Sequence, residues 1–269
     1  MSPEFIKRLN KWRNGHKERW AKALLSPPIQ TTMRRMIRTE GVILIMGSRR
    51  SGKTGLGMSI MDDLHTRKGI PGCVCYPQHH QKLKRLLPKW VKVVTRIKDL
   101  PPNSVCVVDE ASQVAHARRS SSTAAVDLDA LVAISEQKHQ LIIFLTHHSR
   151  KFDINDIHGS DMIIWKQPTL ADTMWERDEL QIYVLRAWEL FEAIPTRLQQ
   201  LKTCYVMNLK QMQFFTFKNG LPKWWSDELS TVFKLFEDMD GNGKGVGNAK
   251  VEVVKTKRKS RKKEVKRKR

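Results

Sequence analysis

The stretch from residue 41 to residue 64 constrains the fold more than any other part of the sequence. Residues 42–46 are apolar and partly β-branched, which predicts a short buried β-strand. Residues 47–54, GSRRSGKT, match the pattern G-x-x-x-x-G-K-[ST] at every fixed position, and residues 55–64 can continue as a helix. Because free N–H groups at a helix N-terminus bind anions, this order of strand, loop and helix predicts a phosphate-binding loop in an α/β fold.

Each part of this loop has a distinct expected role in holding ATP and Mg²⁺. Gly47 and Gly52 allow tight turns and a close approach of the backbone to phosphates. The Lys53 ammonium is expected to reach the β- and γ-phosphates, and the Thr54 hydroxyl to bind Mg²⁺. A chance glycine-rich turn is the alternative, and the flanking strand and helix argue against it. The predicted nucleotide-binding residues are Gly47, Ser48, Arg49, Arg50, Ser51, Gly52, Lys53, Thr54 and Gly55.

A second apolar run, residues 105–108, is followed at once by Asp109 and Glu110. An aspartate at the end of such a strand, the Walker B position, is predicted to hold Mg²⁺ together with Thr54. A glutamate in the next position is typical of a general base that polarises an attacking water. Kinases that pass phosphate to a small molecule usually lack that glutamate, so the pair predicts hydrolysis and argues against a non-hydrolysing nucleotide switch.

The most hydrophobic predicted strand, residues 141–146, ends in Thr146 and is followed by His147. Ligands of open α/β sheets bind at the carboxyl ends of the strands. We therefore expect Thr54, Asp109, Glu110 and His147 to converge on one edge of the sheet, with His147 as a further catalytic residue.

The charge of the chain predicts an anionic partner. The formal net charge is +22 over 269 residues, which favours nucleic acid or, less strongly, an acidic membrane surface. Residues 255–269 hold eleven Lys or Arg and the single acid Glu264, and residues 1–40 hold ten Lys or Arg and three acids. Solvated tails that only aid solubility are the alternative for either end.

This uneven charge and the apolar pattern predict three segments. Residues 1–40 form a basic amphipathic helical arm, residues 41–237 the ATPase domain, and residues 238–269 a flexible linker with a basic disordered tail. We expect the apolar face of the arm to dock on the core or on a neighbouring subunit, with membrane or DNA binding as the alternative.

The four cysteines and the hydropathy pattern predict a cytoplasmic protein. No two cysteines have C-x-x-C spacing, so we interpret them as small buried hydrophobic residues in a reducing compartment. No apolar run reaches the roughly 18 residues that span a bilayer, and no signal-peptide core follows Met1.

With these motifs in view, the sequence resembles the FtsK–HerA superfamily of P-loop ATPases. Within it, the chain is similar to the genome-packaging ATPases of tailless membrane-containing viruses and to the zonular-occludens-toxin-like ATPases of filamentous phages. The resemblance covers about residues 42–163 and is carried by residues 47–54, 105–111 and 141–150. It implies an additional-strand, RecA-like P-loop NTPase fold, with a mostly parallel central sheet flanked by helices.

The resemblance also implies an assembly and a partner. Those motors act as homo-oligomeric rings, such as hexamers, in which a neighbouring subunit supplies an arginine to the active site. Arg119 is the predicted finger, with Arg118 and Arg150 as alternatives, and His147 stands where a glutamine or histidine follows the sensing strand. The implied partner is double-stranded DNA, in the host cytoplasm or associated with the virion.

Two functions are implied by the two groups that the chain resembles. The first is a DNA translocase that packages a viral genome. The alternative is a virion assembly or secretion ATPase that acts on a protein or membrane partner, such as a virion vertex protein. Toxin-like members carry a transmembrane helix after the ATPase domain, and its absence from this sequence favours the first.

Overall fold

The computed structural model describes residues 18–76, 80–109, 135, 137–147, 149, 157, 159–211 and 213–239. For residues 18–21, 80 and 234–239 the description covers the backbone alone. The predicted catalytic residues Glu110 and Arg119 lie outside the described residues, as do Arg118 and Arg150 and most of the two basic extensions.

A nine-stranded sheet forms the centre of the described structure. Its strands are β1 (Ile29–Gln30), β2 (Gly41–Met46), β3 (Gly72–Cys75), β4 (Val91–Val94), β5 (Val105–Val108), β6 (Leu141–Thr146), β7 (Met162–Trp165), β8 (Thr203–Asn208) and β9 (Gln213–Lys218). Across the sheet the order is β1-β9-β8-β7-β2-β6-β5-β3-β4. Neighbouring strands run parallel, except that β8 is antiparallel to both β7 and β9.

In chain order, the helices are interspersed among these strands, and one helix stands at each end of the described residues. They are α1 (Glu18–Leu25), α2 (Met33–Met36), α3 (Lys53–Lys68), α4 (His80–Leu86), α5 (Leu170–Trp175), α6 (Asp178–Glu192), α7 (Arg197–Lys202) and α8 (Asp227–Met239), with a 3₁₀ turn at Ile97–Asp99. Among the described helices, none is both long and apolar enough to cross a membrane.

The central strands are covered on both faces, which explains why they read as continuous apolar runs in the sequence. All six residues of β2 and all six of β6 are buried. Successive side chains of β2 point to opposite faces, so Leu44 packs with residues of α6 whereas Ile45 packs with residues of α3. Two layers of helices thus fix the position of β2 and of the loop that follows it.

The strand order confirms the predicted fold class. β6 lies between β2, which precedes the phosphate-binding loop, and β5, which precedes Asp109. Met46 at the end of β2 pairs with Thr146 at the end of β6, and Phe144 of β6 pairs with Val108 of β5. An extra strand in this position is the arrangement of the additional-strand P-loop NTPases. The carboxyl ends of three strands therefore meet at one edge of the sheet.

The described part of residues 1–40 is packed onto the sheet. Strand β1 pairs in parallel with β9 through Ile29 and Phe215, which extends the sheet by one strand. Leu24 of α1 is 1% exposed and belongs to the core on the α6 side, which agrees with the expected docking of the apolar face of the arm. The strand was not predicted, because two residues are too few to show a period in the sequence.

Candidate active site

The phosphate-binding loop connects β2 to α3 through unusual backbone conformations. Gly47 has φ 153°, and a Cβ there would lie 2.3 Å from the carbonyl oxygen of Lys166. Gly52, which caps α3, has φ 90°. Arg50 also lies in the left-handed region at φ 59°, where a residue with a side chain is strained. The Arg197 guanidinium stabilises this turn by donating to the carbonyl oxygen of Arg50 at 2.9 Å.

The Lys53 side chain lies inside the loop. It is 5% exposed, and its ammonium donates to the carbonyl oxygens of Gly47 at 3.1 Å and Ser48 at 2.9 Å. The same ammonium lies 3.1 Å from Nδ1 of His147, which follows β6. The loop lysine and the predicted catalytic histidine therefore meet at the edge of the sheet.

Thr54 and Asp109 form a second contact across β6. The Thr54 hydroxyl donates to Oδ2 of Asp109 at 3.2 Å, and Asp109 is 8% exposed. A hydroxyl and a carboxylate are oxygen ligands of the kind that Mg²⁺ prefers. Within the described residues, no group of three or more His, Cys, Asp or Glu side chains could hold a metal ion. The chemistry of the Thr54 hydroxyl and the Asp109 carboxylate fits a magnesium ion.

A cavity of about 460 Å³ extends from the loop. Its lining combines loop residues and the cations Arg197 and Lys202 with a group of apolar side chains. Volumes of this size are typical of small-molecule sites. The apolar part of the lining, the apolar wall, is formed by Leu198, Leu201, Leu221, Trp225 and Phe233. The shape and lining fit a nucleotide whose phosphates lie on the loop and whose base lies against this apolar wall.

The apolar wall is held against α3 by the segment that follows β9. The Gly220 carbonyl accepts a hydrogen bond from Ser59 at 2.5 Å, and the Trp224 indole donates to Asp62 at 2.7 Å. A Cβ on Gly55 would lie 2.7 Å from the Leu221 side chain, so glycine at this position makes room for the wall.

The sequence did not predict this wall. The Asn219–Gly220 pair indicated only a break after a strand, and residues of α7 carry no recognisable motif. The available signal was the run of residues 221–225, which is apolar for a surface turn. A pattern of that kind indicates packing, but it does not indicate which site the packed segment serves.

The remaining predicted residues lie along the loop. Ser48 is half-buried, and its hydroxyl donates to the carbonyl oxygen of Gln167 at 2.8 Å. Arg49 and Arg50 are exposed, and Ser51 is fully buried. The structure thus brings Lys53, Thr54, Asp109 and His147 together, while Glu110 and Arg119 stay predictions because they lie outside the described residues.

The cysteines are buried and unpaired, as interpreted from the sequence: Cys73, Cys75, Cys106 and Cys204. Burial raises the pKa of the Cys75 thiol to about 12. Burial also raises the pKa of the Cys204 thiol, which donates a hydrogen bond to Oδ1 of Asn219 at 3.3 Å. Both thiols are therefore protonated at neutral pH.

Solved structures that are similar to this chain share only 12–13% of its sequence. No protein-family model matches the sequence, and no curated protein matches it. The solved structure of B204, the DNA-packaging ATPase from Sulfolobus turreted icosahedral virus, has a TM-score of 0.49 and 12% identity, with 69% of this chain and 100% of that chain covered. B204 from Sulfolobus turreted icosahedral virus 2, a genome packaging NTPase in complex with AMPPCP, has a TM-score of 0.49 and 13% identity, covering 68% and 100%.

The cytoplasmic domain of EssC is a third similar structure. Its TM-score is 0.42 at 13% identity, with 68% of this chain and 39% of that chain covered. Because the TM-scores are below 0.5 and the identities are 12–13%, these similarities carry no conclusion about the function of this chain.

Proposed function

We propose that the protein is an ATPase that translocates double-stranded DNA, as a genome-packaging motor does. The observation that carries the ATPase part is that Lys53 contacts His147 and Thr54 contacts Asp109 beside a cavity that Lys53 and Thr54 line. These residues come from the phosphate-binding loop and from the ends of two other strands. Their meeting point lies at the carboxyl edge of the sheet, where such folds bind ligands.

In the proposed reaction the loop binds and orients the triphosphate. Its backbone N–H groups and the Lys53 ammonium hold phosphate oxygens, and the apolar wall excludes water from the base. Thr54 and Asp109 would hold Mg²⁺, which when bound neutralises charge on the phosphates. Glu110 would accept a proton from the attacking water. The new bond joins the water oxygen to the γ-phosphorus, the bond from that phosphorus to the bridging oxygen breaks, and ADP and phosphate leave.

We expect His147 to respond to the γ-phosphate. Its Nδ1 lies 3.1 Å from the Lys53 ammonium, which is expected to bind the phosphates. An anion at the loop would compete with His147 for that ammonium. His147 directly follows β6, so a movement of His147 would be transmitted to this strand, which lies between β2 and β5.

The proposed DNA partner and the ring rest on charge and on the resemblance of the motifs. A net charge of +22 suits a polyanion, and contacts to phosphates hold a duplex without reading its sequence. An arginine from a neighbouring subunit, with Arg119 as the candidate, would stabilise the transition state across a subunit interface. Host cytoplasm is the proposed location. An assembly or secretion ATPase with an acidic protein or membrane partner is the alternative.

An ATPase assay with and without random duplex DNA tests the proposal. The full chain is expected to hydrolyse ATP faster with duplex, and Lys53→Ala is expected to abolish nucleotide binding because the main side-chain charge on the phosphates is lost. Lys68→Ala is the matched control, since it makes the same substitution at the other, exposed end of α3. The mass of the assembly, measured in the presence of ATP, shows whether the subunits associate as the proposed ring requires.

The results separate the two proposed functions. ATP hydrolysis that responds to anionic vesicles or an acidic protein, but not to duplex, supports the alternative. Single-stranded DNA and RNA arms of the same assay identify the nucleic acid. Equal activity of the full chain and of Lys53→Ala contradicts the proposed ATPase itself.

A further inference from the structure

We propose that Lys166, a residue outside the phosphate-binding motif, is a positioning residue that ties the phosphate-binding loop to the apolar wall of the cavity, a role that rests on the proposed binding of ATP. Lys166 directly follows β7, the strand beside β2. Its backbone lies against the loop and its side chain reaches the elements that build the wall.

The backbone of Lys166 is packed against the beginning of the loop. Its N–H donates to the carbonyl oxygen of Met46 at 2.7 Å, which continues the pairing of β7 with β2. Its own carbonyl oxygen lies so close to Gly47 that a Cβ there would be 2.3 Å away. The next carbonyl oxygen, of Gln167, accepts hydrogen bonds from the N–H and the hydroxyl of Ser48, at 3.4 and 2.8 Å.

The side chain of Lys166 reaches the elements that carry the apolar wall. It is fully buried, and its ammonium donates to the carbonyl oxygens of Leu201 at 2.6 Å and Thr203 at 2.9 Å. A third bond, of 2.8 Å, goes to Oδ1 of Asn219. Leu201 and Asn219 both line the cavity. One ammonium therefore joins the end of α7, the beginning of β8 and the residue after β9.

Gln167 adds a second link between the same two regions. Its side-chain amide donates to Oε1 of Gln200 at 2.7 Å. Gln200 is held in turn by bonds from its amide to the carbonyl oxygens of Phe191 and Ile194, at 3.1 and 3.2 Å. Helix α7 is thus attached to the residues that support the loop at two adjacent points.

A buried lysine at this position is better explained by the hydrogen bonds of its ammonium than by the volume of its side chain. Burial of an ammonium costs free energy, and burial lowers the pKa of Lys166. A methionine would occupy a similar volume without that cost. What lysine adds is a set of three directed hydrogen bonds to oxygens that come from three different elements.

Two ligands separate this role from a general structural one. Pyrophosphate can contact the loop alone, whereas ADP also needs the apolar wall. In Lys166→Met the three acceptors lose the hydrogen bond from the ammonium, so we expect ADP to bind about tenfold more weakly and pyrophosphate to bind within about twofold of the unaltered chain. Lys92→Met, at an exposed lysine of β4, is the matched control. Isothermal titration of the full chain measures both ligands.

Each outcome has a distinct meaning. Equal loss of ADP and pyrophosphate binding in Lys166→Met, or unchanged binding of both, overturns the positioning role. If the unaltered chain binds neither ligand, the proposed ATPase is wrong and the role of Lys166 falls with it.

A milder variant covers the case in which Lys166→Met does not fold. Gln167 is half-buried, so Gln167→Ala removes one hydrogen bond and leaves its backbone contact with Ser48 in place. We expect ADP binding to weaken about threefold, with pyrophosphate binding unchanged. Unchanged ADP binding in this variant also overturns the link.

Discussion

The Lys53 ammonium lies 3.1 Å from Nδ1 of His147, so the phosphate-binding loop and the end of β6 are in direct contact. An ammonium has only donors, and His147 must therefore present an unprotonated Nδ1 in this arrangement. The phosphates of a bound nucleotide would accept hydrogen bonds from the same ammonium. This competition gives His147 a way to respond to the occupancy of the loop.

His147 is expected to affect turnover more than nucleotide binding. We predict that His147→Ala lowers kcat about 10- to 100-fold, because an interaction made at the γ-phosphate is lost. His147→Gln should retain more activity, since its amide can still exchange hydrogen bonds. Steady-state kinetics and ADP titration measure the two effects. A purely structural histidine would show equal losses in both variants together with lower thermal stability.

Glu110 is expected to be required for hydrolysis and not for binding. In Glu110→Gln the base that activates water is absent, so kcat should fall at least about 100-fold while ATP stays bound. Filter binding of labelled ATP and single-turnover hydrolysis follow the two steps. Near-normal turnover in this variant would remove Glu110 from the mechanism.

The predicted arginine finger can be tested by mixing subunits. Arg119→Ala and Lys53→Ala should each be inactive alone. When they are mixed, some interfaces join an intact loop to an intact arginine, and activity should return in part. The same mixture is made with Arg118→Ala and Arg150→Ala. If none of the three restores activity with Lys53→Ala, the finger does not act between subunits.

The basic C-terminal segment is expected to contribute to DNA binding in a way that depends on salt. Each phosphate neutralised should add roughly −0.9 to the log–log slope of affinity against salt concentration. Deletion of residues 248–269, which include eleven Lys or Arg after residue 254, should therefore make the slope shallower for every duplex sequence.

A full-length chain with glutamine at those eleven positions is the matched control for length. ATPase activity without DNA should be nearly unchanged in both variants. A slope equal to that of the unaltered chain would mean that this segment does not contact DNA. The C-terminal segment would then be left with a localisation role. The basic residues before residue 40 would be the next to test for DNA binding.

The cysteines should be unreactive in the native protein. All four cysteines are 0% exposed, so a reagent in solution cannot reach them. Burial also raises the pKa of Cys75 to about 12 and raises the pKa of Cys204, so neither of these thiols forms the nucleophilic thiolate at pH 8. A hydrogen bond with Cys73 lowers the pKa of Cys106, and there burial alone prevents the reaction. A thiol reagent such as Ellman's is expected to label less than one thiol in the native chain and all four after denaturation. Rapid labelling of several thiols in the native chain would contradict the buried placement.

Sequence patterns were enough to predict the strand, loop and helix around Lys53 and the position of Asp109 after an apolar run. These features follow from local rules, since burial of a strand, a glycine at a left-handed φ and a helix N-terminus each depend on neighbouring residues. The contacts of Lys53 with His147 and of Thr54 with Asp109 were also predictable in outline, because parallel strands bring their carboxyl ends to one edge.

The elements that complete the cavity beyond the loop follow from the three-dimensional arrangement of the strands and could not be predicted. The wall around Leu221 and the buried ammonium of Lys166 depend on β7 lying beside β2 and on β8 turning back antiparallel to β7. In the sequence, Lys166 is a lysine after an apolar run, a position usually exposed to solvent. Its bonds to Leu201 and Asn219 join residues 35 and 53 positions away. Such pairings are set by strand order and sheet register, which local sequence patterns do not encode.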